Sequence, residues 1–219
     1  MLAYELTPEQ VRILGCLIEK EMATPEYYPL TLNALVNGCN QKTNRNPVVA
    51  YDENTVLAAL EALKENHLAW QSNAARVPKY EQHLDKSMNL VPREMSLICL
   101  LLLRGPQTAG ELRSRSERLY SFASLEEVNE ILAELEERGL VRQLPRQPGQ
   151  KEVRYIHLLS GEPEEEQVEG TGYSVASESK QDTPSNEDRF AALEDETRRL
   201  RAELHELKEM FMQFKGQFE

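Results

Sequence analysis

The sequence predicts a mainly α fold with small β-hairpin wings (α+β): two tandem winged-helix domains, a flexible linker and a C-terminal coiled-coil helix. Three observations carry that prediction. Residues 59–68 (ALEALKENHL) and 131–140 (ILAELEERGL) align at a constant offset of 72, and each reads as an amphipathic helix that closes on a tight cap and enters a short apolar strand. Residues 161–186 are rich in Glu, Ser, Gly and Thr and poor in large apolar side chains, so they cannot bury enough surface to offset their ordering entropy. From Phe190 to Phe218, apolar residues recur at alternating spacings of 3 and 4, interrupted only by Thr197. The implied boundaries are 1–84 and 85–160 for the two winged helices, 161–186 for the acidic linker and 187–219 for the coiled coil.

In the first repeat, Pro8 fits the first turn of a helix behind Thr7, and Val11, Leu14, Leu17, Ile18 and Met22 follow at helical spacing. Past the turn-rich stretch 24–29, Thr31 is placed to cap a second helix whose Leu32, Leu35, Val36 and Cys39 share a face. The polar loop NQKTNRNPV (40–48) leads to a third helix, capped by Asp52, that turns Val56, Leu60 and Leu63 inward. Leu68 to Trp70 and Arg76 to Tyr80 then read as the strands of a hairpin.

The second repeat has the same order of parts. Pro92, Met95, Ile98 and Leu102 match Pro8, Val11, Leu14 and Ile18 at an offset of 84. Thr108 with Glu111, and Ser124 with Glu127, have capping-box spacing and start helices two and three. Val128, Leu132 and Leu135 form the buried stripe, and Gly139 supplies a left-handed residue where the first repeat has His67. Leu140 to Leu144 and Lys151 to Leu159 flank the wing turn.

With Phe190 at heptad position a, the g residues Arg189, Glu196 and Glu203 face Glu194, Arg201 and Lys208 of a parallel partner, all with opposite sign. This predicts a homodimer held by Phe190, Leu193, Leu200, Leu204, Leu207, Phe211 and Phe214. Packing of this helix on its own chain is the alternative.

A composition of 40% hydrophobic and 28% charged residues is that of a soluble globular protein. The longest apolar run, Leu97 to Leu103, is far short of the roughly 18 to 20 residues of a membrane span, and the N-terminus lacks the basic start of a secretory signal. A cytoplasmic protein without membrane contact is expected. Cys16, Cys39 and Cys99 are an odd count without CxxC spacing, each amid apolar helix residues, which predicts packed free thiols.

The net charge of −12 is unevenly spread: residues 161–186 hold 1 basic and 7 acidic side chains, whereas 85–160 hold 11 of each. Overall acidity therefore does not decide the surface of either repeat. Helix three of the second repeat carries Glu126, Glu127, Glu130, Glu134 and Glu137 away from its buried stripe, a row that phosphates would repel from a DNA groove. Positive charge collects instead at Lys42 and Arg45, amid amide side chains that include Asn44, and at Arg113, Arg115 and Arg118. The second wing adds Arg142, Arg146, Lys151 and Arg154. Lys42, Asn44, Arg45, Arg113, Arg115, Arg118 and Arg146 are thus the candidate nucleic-acid contacts. A solvated loop with Asx turns, and ion pairs between the arginines and neighbouring glutamates, are the competing readings.

Catalysis is not expected. His67, His83, His157 and His205 have no metal-ligand spacing, no glycine-rich phosphate loop follows a strand, and no cofactor is implied. His157 reads as a packed or surface histidine, and Trp70 and Tyr80 as anchors of the first hairpin or platforms for a base. The expected function is that of a non-enzymatic, transcription-regulator-like protein that binds double-stranded DNA through tandem winged helices. The alternative is a scaffold that binds a protein partner through its acidic third helices.

The stretches LTPEQVRILGCLIEKEMATPEYYPLTLNALVNGCNQKTNRNPVV, YDENTVLAALEALKENHLA and LLLRGPQTAGELRSRSERLYSF resemble the YceH family of bacterial proteins over roughly residues 4–160. That resemblance implies a cytosolic tandem winged-helix protein, often with a C-terminal helical extension. It implies no reaction.

Overall fold

The computed structural model describes residues 5–72, 76–146 and 152–162. The linker and the heptad residues expected to dimerise, Phe190 to Phe214, lie outside them. Among the described residues the chain is an α+β fold of seven α-helices with small antiparallel sheets.

Helix α1 (Pro8–Ala23) starts with a reciprocal cap: the Gln10 N–H donates to the Thr7 hydroxyl, and the Thr7 N–H donates to the Gln10 side chain at 2.9 Å. A 3₁₀ turn (Pro25–Tyr27) and the two-residue strand β1 (Leu30–Thr31) lead into α2 (Leu32–Cys39), capped by Thr31 as expected. In α3 (Glu53–Glu65), Asp52 accepts the Thr55 N–H at 2.7 Å, which holds the exposed Asp52 carboxyl below its ordinary range. Strands β2 (Ala69–Ser72) and β3 (Lys79–Gln82) complete a sheet of order β1-β3-β2.

A short helix α4 (Leu84–Met88), which the sequence reading did not anticipate, joins the halves. The second half repeats the pattern in α5 (Pro92–Arg104), α6 (Ala109–Ser116), α7 (Leu125–Glu137), β4 (Val141–Gln143) and β5 (Tyr155–His157). The Gln107–Tyr155 bridge stands where Leu30 pairs with Tyr80 in the first half.

Both third helices end alike. His67 and Gly139 adopt φ of 58° and 67°, and the following Leu68 and Leu140 N–H groups return to the carbonyls of Leu63 and Leu135. Val56, Leu60, Leu63, Val128, Leu132 and Leu135 are fully buried, as their spacing required. One apolar core runs through both halves, because α1 packs on α5. Gly15 marks their closest approach: a Cβ there would stand 2.9 Å from the Leu103 side chain.

Two expectations need correction. Tyr80 is in the core, but Trp70 is 57% exposed and stacks on the His83 ring at 6.0 Å. Ala69 occupies the inward position of β2, so alternation sends Trp70 outward. Ser124 does cap α7, whereas the Glu127 carboxylate accepts from the Ala123 N–H, one residue outside the expected box. All three cysteines are buried free thiols. No helix among the described residues is long and apolar enough to cross a membrane.

Candidate functional site

The loop between α2 and α3 is bound into the fold by two buried arginines. Arg12 of α1 donates to the carbonyls of Cys39 and Pro47, at 3.2 and 2.6 Å. Arg45 reaches back under the loop to the Gly38 carbonyl, the Gln41 side chain and both carboxylate oxygens of Glu19, at 3.0 and 2.6 Å. Burial alone would raise the Glu19 carboxyl, but the Arg45 fork and Lys20 outweigh it and hold it below the usual range. The Cys16 thiol accepts from Arg45 at 3.5 Å; burial would raise it, yet the bond from Cys39 and the charge of Arg45 bring it below the ordinary thiol value. Asn46 completes the attachment by donating its N–H to the Leu103 carbonyl of α5.

This anchoring sorts the residues expected to meet an anion. Arg45 departs from expectation, since it is 6% exposed and its donors are spent inside the fold. Lys42 and Asn44 remain exposed, and the Asn44 side chain accepts from Arg104 of the second half. That contact opens onto a cleft of about 650 Å3 bounded by the C-terminal ends of α1 and α5, the loop at 41–44 and the segment 114–119. The cleft brings together Lys42, Arg115 and Arg118, and adds Lys20 and Arg104. Lys42 of the first basic cluster and Arg115 and Arg118 of the second, remote in sequence, thus meet on one concave surface.

Charge within the cleft is not uniform. Glu19 and Glu117 also line it, but Glu19 is engaged by Arg45 and Lys20. Arg115 is held by Glu111 at 3.2 Å and by the Gln107 side chain at 2.7 Å. Lys42 and Arg118 have no ion pair among the described residues. Leu100, Leu103 and Leu119 supply apolar lining.

Arg113 and Arg146 are not among the cleft residues. Arg113 is exposed and donates to the Ala123 carbonyl, and Arg146 is exposed beyond β4. In the second wing, Arg142 pairs with Glu162 and Arg154 with Glu111, whereas in the arginine cluster the ion-pair reading describes Arg115, which pairs with Glu111. The acidic face of α7 is exposed at Glu126, Glu130, Glu134 and Glu137. Sequence reasoning missed Lys20 and Arg104, although the offset of 84 that matches Pro8 to Pro92 also matches these two. Each adds a cation to the last turn of the first helix of its half, where it complements the helix dipole. Among the described residues no group of three or more His, Cys, Asp or Glu side chains is placed to hold a metal ion.

Residues 6–150 match the family model described as protein of unknown function, DUF480. The chain is 48% identical to a UPF0502 protein of Pelobacter propionicus and 49% identical to one of Geobacter sulfurreducens, in each case across 98% of both chains. A UPF0502 protein of Geotalea uraniireducens is 50% identical over the same shares.

Proposed function

Because the chain belongs to the DUF480 family, whose description names no activity, we propose its function from its surface: a non-enzymatic nucleic-acid-binding protein that holds the phosphate backbone in the cleft between its halves. The observation that carries this reading is the convergence of Lys42, Arg104, Arg115 and Arg118 from segments of both halves. Phosphate contacts supply most nucleic-acid affinity, and a concave cluster concentrates their field. Two passages through three helices and a hairpin favour tandem winged helices as the scaffold. The acidic faces of α3 and α7 disfavour the usual insertion of a third helix into the major groove, which leaves the cleft as the phosphate-binding surface. Pairing of two chains through the heptads from Phe190 to Phe214 belongs to the same proposal and doubles the sites.

The test is fluorescence anisotropy of a labelled 20-mer, single-stranded and duplex, across a salt series. Affinity should fall steeply with salt, and Lys42→Ala with Arg118→Ala should weaken it at least tenfold and flatten the salt slope by about two phosphate contacts. Absence of binding by either form at low salt overturns the reading. The second reading, a scaffold for a basic protein partner, is favoured by the exposed Glu126, Glu130 and Glu137, which have no ion pair among the described residues. Partner capture abolished by Glu130→Lys, yet unaffected by Lys42→Ala with Arg118→Ala, would support it instead.

A further inference from the structure

We infer that the cleft seats a single strand of nucleic acid, with a nucleotide drawn between the two halves, and not a duplex. This rests on the nucleic-acid reading above and specifies its ligand. A protein that reads a duplex presents donors on a protruding helix or wing that enters a groove about 12 Å wide. Here the arrangement is reversed. The donors line a concavity formed by segments from both halves, and the exposed face of α7 presents carboxylates. A duplex would leave its bases stacked inside and bring only its phosphates to the rim, so the interior of the cleft would stay empty.

The interior has the dimensions and lining that an unstacked nucleotide requires. Its volume of about 650 Å3 lies within the range of roughly 300–1,000 Å3 typical of pockets that enclose a small ligand. Leu119, with the little of Leu100 and Leu103 that stays exposed, offers an apolar surface to a base, while Lys42 and Arg118 are free of ion pairs among the described residues and available to the phosphates. Thr43, Asn44 and Ser114 add neutral hydrogen-bonding groups for sugar and phosphate oxygens. Among the described residues no aromatic side chain lines the cleft, so the base rests on aliphatic carbon and the site is tolerant of sequence. The cations that line the cleft, Lys20, Lys42, Arg104, Arg115 and Arg118, come from four segments of the chain, which suits the successive phosphates of a strand better than a free nucleotide.

The anchoring of the loop supports the same conclusion. Arg12 and Arg45 hold its backbone from beneath, so the loop that carries Lys42 is ordered before binding and only the side chain loses freedom. Glu117 is the one cleft carboxylate without an ion pair among the described residues, and it sets a limit on affinity.

The experiment compares the full chain binding to labelled dT20, labelled U20, a 20-base-pair duplex and a labelled mononucleotide at fixed salt. Both single strands should bind at least tenfold more tightly than the duplex and far more tightly than the mononucleotide. Lys42→Ala with Arg118→Ala should lower single-strand affinity at least tenfold, and Glu117→Gln should raise it severalfold with no change toward the duplex. Circular dichroism checks that these surface variants remain folded. Duplex binding equal to or tighter than single-strand binding overturns the inference while leaving the nucleic-acid reading in place. A mononucleotide that binds as tightly as dT20 also overturns it, in favour of a free nucleotide. Failure of every nucleic acid to bind removes both.

Discussion

In the first half the chain between α2 and α3 is long, running from Asn40 to Asp52, and two buried guanidiniums pin it from below. In the second half the passage from Glu117 to Ser124 is short, and the places that correspond to Arg12, Cys16 and Glu19 are taken by Ser96, Leu100 and Leu103. The difference follows from hydrogen-bond accounting. A long loop folded against the core buries the carbonyls of Gly38, Cys39 and Pro47, and each needs a donor. An arginine has five N–H groups in a planar fork and can satisfy several carbonyls and a carboxylate together. The short connection buries no such set, so the second half fills the same space with leucine.

The comparison breaks most sharply at Arg45. Arg45→Ala leaves the half-buried Glu19 with Lys20 as its remaining partner and takes a donor from the Gly38 carbonyl, and should cost about 2–3 kcal/mol in a urea titration. Arg45→Met combined with Glu19→Leu, which imitates the second half, should recover much of that loss. A loss below about 1 kcal/mol for Arg45→Ala would show that the pair does not anchor the loop. Since Glu19 is held below the ordinary carboxylate range, the stability it contributes is present at neutral pH, declines once pH drops below that range and is lost as pH falls through the depressed value of the folded state.

A second contrast lies in the paired hairpins. Gln82 sits opposite Ala69, and His157 sits opposite Val141 at the matching position of the second hairpin. The Gln82 side chain accepts the Leu84 N–H and donates to Glu21 and Asp85, whereas Nδ1 of His157 is buried without a partner among the described residues. Burial pushes the His157 imidazole down to about 4 from 6.5. The unfolded chain therefore takes up a proton first, and stability should fall as pH drops from 6.5 to 4, by up to about 3 kcal/mol. Thermal melts across that window should show the decline, and His157→Gln, the residue of the first half, should flatten it. An unchanged slope in that variant would assign the decline to other groups.

The smallest contrast is at the ends of the third helices. Gly139→Ala should cost about 1 kcal/mol, because its positive φ strains a Cβ, and His67→Gly should gain up to about 1 kcal/mol for the same reason. Chemical denaturation of the two variants checks both signs. A stabilising Gly139→Ala would show that the left-handed turn relaxes.

Much of the fold could be read locally. Thr7, Thr31, Asp52, Thr108 and Ser124 each cap the helix that their position predicted, because a cap acts over only three residues. The candidate site was legible only in part. Lys42, Arg115 and Arg118 were named from charge, but nothing in their spacing separated the exposed Lys42 from the buried Arg45 three residues on. Trp70 was misplaced because a four-residue strand with an apolar residue at each of its first two positions does not declare which faces inward.

By itself the sequence determined where the six longer helices begin and that the pattern occurs twice, while the short α4 and β1 and the bounds of the strands escaped it. Those properties depend on backbone capping and on periodicity within a few residues. Only the tertiary structure decided which cations face solvent and that Lys42, Arg115 and Arg118 share one cleft. The packing of α1 on α5 brings Lys42 and Arg118 together, and that contact joins residues whose separation along the chain carries no local signal.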